Sequence, residues 1–175
     1  MANREALREL QGRLAQRLQL ARTESRTAQW LALECAGLGV LVPLATAGEI
    51  FPVGTLLPVP HTQPWFIGVA NLRGGLHGVV DLAAFLGLRA PLAPDAVREQ
   101  SRLLAINPTM GAHCALLVDR LAGLRSSEQM QAEPEEGAAR PAFAGRRWRD
   151  GEGRSWQEID LAALARHEQF LGIAA

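Results

Sequence analysis

Gly68-Val69-Ala70-Asn71-Leu72-Arg73-Gly74-Gly75-Leu76-His77-Gly78-Val79-Val80-Asp81-Leu82 is the stretch on which the reading of this chain turns. Two apolar runs flank an Asn-Leu-Arg-Gly-Gly segment, and the second run ends in Asp-Leu before Ala83-Ala84. Short apolar runs bounded by turn residues read as buried strands. Glycines at 74 and 75 allow positive φ and close backbone approach between them. The segment is therefore predicted to run strand, turn, strand, helix, with Arg73 fixed at the turn. A cation held there needs a partner.

The same pattern recurs near the end of the chain. Val79-Val80-Asp81-Leu82-Ala83-Ala84-Phe85-Leu86 echoes Glu158-Ile159-Asp160-Leu161-Ala162-Ala163-Leu164-Ala165. In both, an aspartate stands between a strand end and a Leu-Ala-Ala start. A carboxylate there caps a helix N-terminus and meets its dipole, worth ~1 kcal/mol. We read a duplication: two small β units, each closing with a strand and a capped helix. Between these landmarks, residues 30–35 and 38–44 read as strands around Gly37. Pro52, Pro58, Pro60 and Pro64 rule out a helix over 50–65 and favour an extended or edge segment. Residues 89–101 read as a surface loop, 102–107, 112–118 and 121–125 as strands, and 126–141 as an exposed polar loop. Residues 142–148 and 156–160 read as a last hairpin, and 161–171 as one terminal helix.

Ahead of these strands, Leu7, Leu10, Leu14, Leu18 and Ala21 recur at spacings of three and four. That is the stripe of an amphipathic helix, placed over residues 1–28, with the β domain over 29–172. Six arginines against three glutamates leave residues 1–27 net positive. Docking on its own domain or on a partner is favoured over a membrane surface, because the stripe is narrow and lacks aromatic residues.

Composition excludes several function classes. The 175 residues carry no net charge, which argues against a general nucleic-acid binder. All 18 basic residues are arginine, so there is no lysine for a Schiff base or a phosphate loop. His61, His77, His113 and His167 stand at spacings unrelated to metal ligation. Cys35 and Cys114 lie in apolar contexts and read as buried thiols in a reducing compartment. The glutamates at 133, 135 and 136 read as a solvated run. No catalytic residue, cofactor or metal site is predicted. The charged N-terminus has no apolar leader run, and no stretch of about 18 apolar residues follows, so a cytoplasmic location is expected.

Taken together, Val59-Pro60, Trp65-Phe66-Ile67-Gly68-Val69-Ala70-Asn71-Leu72-Arg73-Gly74 and Val79-Val80-Asp81-Leu82 resemble the CheW-like family of bacterial chemosensory coupling proteins. Gly48-Glu49-Ile50 fits the family's acidic-apolar pair, Ala115-Leu116-Leu117-Val118-Asp119-Arg120-Leu121 its second block, and Ile159-Asp160-Leu161 its closing block. The resemblance covers about residues 30–171. The helix before the domain, the tryptophan opening the first strand and Pro64-Trp65 with Gly-x-Ala-Asn look like the PilI-type branch, which serves type IV pili and twitching motility. The chain departs from the pattern at Leu76-His77-Gly78, where the family usually has an apolar residue and a proline. Glycine there loosens the strand or makes room for a neighbouring backbone.

The resemblance implies a mainly β fold of two SH3-like five-stranded barrels with a groove between them. It implies a non-enzymatic adaptor bridging the helical hairpin tip of a chemoreceptor and the regulatory domain of a CheA-type histidine kinase, in a two-component pathway, and possible contact with other CheW-like proteins. The candidate partner-binding residues are Arg73, Glu49, Ile50, Val69, Asn71 and Leu72. Arg73 and Glu49 are expected to pair at the groove rim, an ion pair that equally well only pins the turn. Ile50, Val69 and Leu72 are placed along the groove, though each also fits a core position, Val69 most of all. A flagellar coupling role is the alternative within the family. A small-barrel nucleic-acid module is the alternative outside it, disfavoured by the absence of lysine and tyrosine and by zero net charge.

Overall fold

The computed structural model describes residues 28–93, 96–134, 137 and 140–175. The amphipathic helix expected over residues 1–28 lies outside the described residues apart from its last position. Strands β1 (Ala28–Cys35), β2 (Leu38–Pro43), β3 (Ala47–Pro52), β4 (Phe66–Leu72) and β5 (Gly75–Asp81) lead into helix α1 (Leu82–Phe85). Then come β6 (Arg102–Ile106), β7 (Cys114–Val118), β8 (Arg120–Ser126), β9 (Met130–Ala132), β10 (Ala144–Asp150) and β11 (Ser155–Ile159). Helices α2 (Leu161–Ala165) and α3 (Glu168–Leu171) close the chain.

The strands form two sheets, in the orders β8-β1-β2-β11-β10-β9 and β3-β6-β7-β5-β4. These orders reveal how the duplication is used. The first repeat is β1 to α1 and the second is β6 to α2. Each opens with a hairpin, β1–β2 or β6–β7. Each later makes a second hairpin, β4–β5 or β10–β11, that ends in a capped helix. Neither opening hairpin stays with its own repeat: β2 pairs in parallel with β11, and β7 pairs in parallel with β5. The two SH3-like barrels therefore exchange hairpins, and each is built from both halves of the chain. The largest core cluster follows suit, joining Leu33, Val42 and Ile159 of one sheet to Val80, Leu104 and Leu116 of the other.

The echoed aspartates do what their positions suggest. Asp81 has extended backbone geometry and accepts from the Ala84 amide at 3.3 Å. Asp160 has the same geometry and accepts from Ala162 at 2.8 Å and Ala163 at 3.0 Å. Their surroundings differ. Asp160 is exposed, whereas Asp81 is wholly buried and ion-paired with Arg89 at 2.6 Å. Arg89 also reaches Asp119 at 3.2 Å, and the other Asp119 oxygen takes the Ala36 amide at 2.6 Å. Ala36 and Gly37 both have positive φ, the two-residue turn that matches hairpin twist. The carboxylate thus holds an alanine where asparagine, aspartate or glycine is usual. A second cluster fastens barrel one, the barrel of the β8-β1-β2-β11-β10-β9 sheet, the other being barrel two: Glu34 on β1 receives Arg120 through two bonds, at 2.9 and 2.7 Å, and Arg154 at 2.6 Å. Those guanidinium groups, Arg120 foremost, hold the Glu34 carboxyl down at about 2.

Three expectations need correction. Among the described residues barrel one has six strands rather than five, because Met130–Ala132 pairs with β10 inside the stretch read as a loop. Only Met130 of that strand faces the core, against Trp30 and Trp156, so three residues offered no alternation to read. The terminal helix is broken: Arg166 ends α2 and His167 adopts extended geometry. The break turns Phe170 onto Trp65, with stacked rings 6.3 Å apart, and onto Phe85 at 5.4 Å. Finally, Gly78 makes room for a ring, not for a backbone: a Cβ there would lie 2.8 Å from Cε2 of Phe66.

Removing the partner of a buried charge costs about 3–5 kcal/mol, and removing an exposed cap about 1 kcal/mol. Arg89→Ala should therefore destabilise the protein severalfold more than Asp160→Ala, as read from urea denaturation midpoints. Equal costs would mean that the buried network carries nothing beyond capping.

Candidate partner-binding rim

The hairpin between β4 and β5 turns at Arg73 and Gly74, with φ of 51° and 81°. Positive φ at both central residues is the two-residue hairpin turn, in which the second position is usually glycine. Arg73 occupies the first, a conformation that costs a side-chain-bearing residue something. Asn71 offsets this by accepting the Gly74 amide on its side-chain oxygen at 2.8 Å. The turn consequently projects Arg73 into solvent, 76 % exposed, where it pairs with Glu49 of β3 at 2.5 Å. Glu49 is itself 43 % exposed.

The pair closes one end of a cleft of about 390 Å³ lined by residues 49–52 of β3, residues 70–72 of β4 and Arg73 of the turn. Those strands are the two edges of the second sheet, so the cleft is the seam of barrel two. This corrects the expected placement: the rim is not on a groove between the barrels. Glu49, Ile50, Asn71, Leu72 and Arg73 meet there, but Val69 does not line it. Val69 is half-buried against the main core, and its backbone exchanges two hydrogen bonds with Leu57, at 2.8 and 2.9 Å. Leu72 is buried in the second core cluster, so it borders the cleft without offering its side chain. Ile50 is half-buried and also leans on the main core. Asn71 is exposed and braces the turn.

Two residues were missed. Leu57 stands opposite Val69 and is 58 % exposed; Leu76 stands opposite Asn71 and is 66 % exposed. Leu76 places bare apolar surface next to the charged turn, and Leu57 adds more farther along β4, opposite a residue four positions before Arg73. Leu76 shares its strand face with Val80, a core residue, so alternation alone reads it as interior. A charged pair flanked by exposed leucines suits a protein surface better than a small reactant. The thiols offer no nucleophile: burial pushes Cys35 well up and Cys114 up to about 12. Among the described residues, no three His, Cys, Asp or Glu side chains are grouped to hold a metal ion. No helix among them is long and apolar enough to cross a membrane.

The model of the CheW-like domain matches residues 29–169. The chain belongs to the CheW-like family. Protein PilI of Pseudomonas aeruginosa is 30 % identical over 150 residues, spanning 82 % of this chain and 79 % of that protein. The crystal structure of scaffolding protein TtCheW from Thermoanaerobacter tengcongensis superposes with a TM-score of 0.63 at 17 % identity. That match covers 77 % of this chain and 89 % of the other, and it supports the CheW-like fold.

Exposed ion pairs contribute ~0–1 kcal/mol. A double-mutant cycle of Glu49→Ala and Arg73→Ala in thermal denaturation should give a coupling below about 1 kcal/mol. A larger coupling would make the pair a structural clamp and withdraw the rim as a partner site.

Proposed function

We propose that this CheW-like protein is a non-enzymatic adaptor in a bacterial chemosensory array, coupling the hairpin tip of a chemoreceptor to the regulatory domain of a CheA-type histidine kinase. Its likeness to PilI favours the type IV pilus and twitching pathway over the flagellar one. The observation that carries the reading is the exposed Arg73–Glu49 pair on the seam of barrel two. Arg73 presents a planar fork of five donors, and Glu49 occupies only one side of it. The remaining donors face solvent near Leu76, where a partner would bring an acceptor and apolar cover. Such an adaptor works in the cytoplasm, binds no nucleic acid and needs no cofactor.

Removing Arg73 deletes a charge-assisted bond across that interface and no core volume. The loss of about 1.5–3 kcal/mol corresponds to roughly ten- to hundredfold in affinity. Arg73→Ala should therefore melt like the parent protein yet lose receptor or kinase binding by that factor, measured with the purified receptor tip and kinase regulatory domain. A variant melting far lower would make Arg73 structural. One that folds and binds normally would remove the rim from the account.

A further inference from the structure

A second surface lies where the two barrels meet. A groove of about 540 Å³ runs between Leu38 on β2, the residues ending α1, and the β10–β11 hairpin. Its floor is apolar, with Phe85 and Phe143 buried in the main core and their rings 5.8 Å apart. Leu88 forms part of its wall and is 40 % exposed. The charged residues lining it are Arg140 and Arg147, and no Asp or Glu among the described residues lines it. Arg147 has a neutral neighbour, donating to the Gln157 side chain at 3.3 Å.

The same two arginines border an adjoining cavity of about 360 Å³ that adds Arg149 and Glu133. One oxygen of Glu133 accepts from Arg149 at 2.9 Å and from the Ser155 hydroxyl at 2.6 Å, and its charge also acts on Arg147, so a single carboxylate faces three guanidinium groups among the described lining residues. An apolar trough with an edge of one sign is matched by a segment with apolar side chains on one side and acids beside them.

We propose that this groove docks an acidic amphipathic segment of a partner protein, its apolar side chains against Leu88 and Phe143 and its carboxylates on Arg140 and Arg147. The chain's own ends do not fit the role. The C-terminus is committed elsewhere, with Ala174 bridged to Thr62 and the Ala175 amide bonded to His61. Residues 1–27 hold six arginines against three glutamates, the same sign as the groove edge. The site shares no residue with the Arg73 rim, so it stands or falls separately from the adaptor reading.

The test is fluorescence anisotropy on the full-length protein. The probe is a labelled peptide of about 18 residues with leucines at helical spacing and glutamates elsewhere. Saturable binding is expected, weakening with added salt. Arg140→Glu with Arg147→Glu, and separately Leu88→Asp, should each lower affinity at least about tenfold while melting stays unchanged. A peptide with arginine in place of glutamate should bind at least about tenfold more weakly. Absent saturation, equal binding of the arginine peptide, or indifference to both variants would overturn the proposal. Displacement of the probe by a peptide of residues 3–27 would also overturn it, by giving the groove to the chain's own segment.

Discussion

The carboxylate of Asp81 is the group on which the rest of this structure leans. It has no solvent exposure, yet each of its oxygens is used: one caps α1, and the other takes Arg89 at 2.6 Å and the Leu92 amide at 3.2 Å. Through Arg89 the connection passes to Asp119, and through Asp119 to the Ala36 turn. One line of charge-assisted bonds thus crosses from the helix closing the first repeat, through the β7–β8 junction, to the hairpin that the first repeat lends to barrel one. Burying such a pair gains little over apolar residues of equal volume, because desolvation offsets attraction. What it adds is a geometric demand: the carboxylate is satisfied only where the Ala84 amide, Arg89 and the Leu92 amide converge, a demand that an apolar side chain would not make.

That arrangement explains how the surface is free for partners. Stability resides in the exchanged hairpins, the shared core and the aromatic cluster of Trp65, Phe85, Phe143 and Phe170. The β4–β5 turn contributes little beyond its own closure, so Arg73 and Leu76 face outward at small cost to folding. The trough near Leu88 arises from the same exchange, since α1 of one barrel there meets β10 and β11 of the other. In both places an arginine stands next to exposed leucine, a pairing suited to protein recognition.

Local chemistry was the legible part. The Asn-Leu-Arg-Gly-Gly turn, both aspartate caps and the pairing of Arg73 with Glu49 followed from residue types whose preferences act within a few positions or from the family resemblance. The echo around Asp81 and Asp160 disclosed a duplication, but not that the repeats exchange hairpins, because pairing partners far apart in sequence leave no local trace. Arg89 sat in a proline-bearing loop and gave no sign of its two carboxylates, which are eight and thirty residues away. Strand β9 was too short to alternate, and the break at His167 depends on where Phe170 must land. Leu72 and Val69 were placed on a groove when tertiary packing put them inward. Leu76 shows the reverse: an apolar residue on a core-facing strand side, left bare where the sheet ends.

Native-state hydrogen exchange tests the exchanged-hairpin account most directly. Leu33 and Leu41 lie on central strands of barrel one, Leu104 and Leu116 on central strands of barrel two. If each barrel is built from both repeats, neither can open alone, and all four amides should exchange with the same opening free energy and the same denaturant dependence. Exchange of one pair at lower free energy and with a shallower denaturant slope would show that a barrel unfolds independently, and would contradict the account.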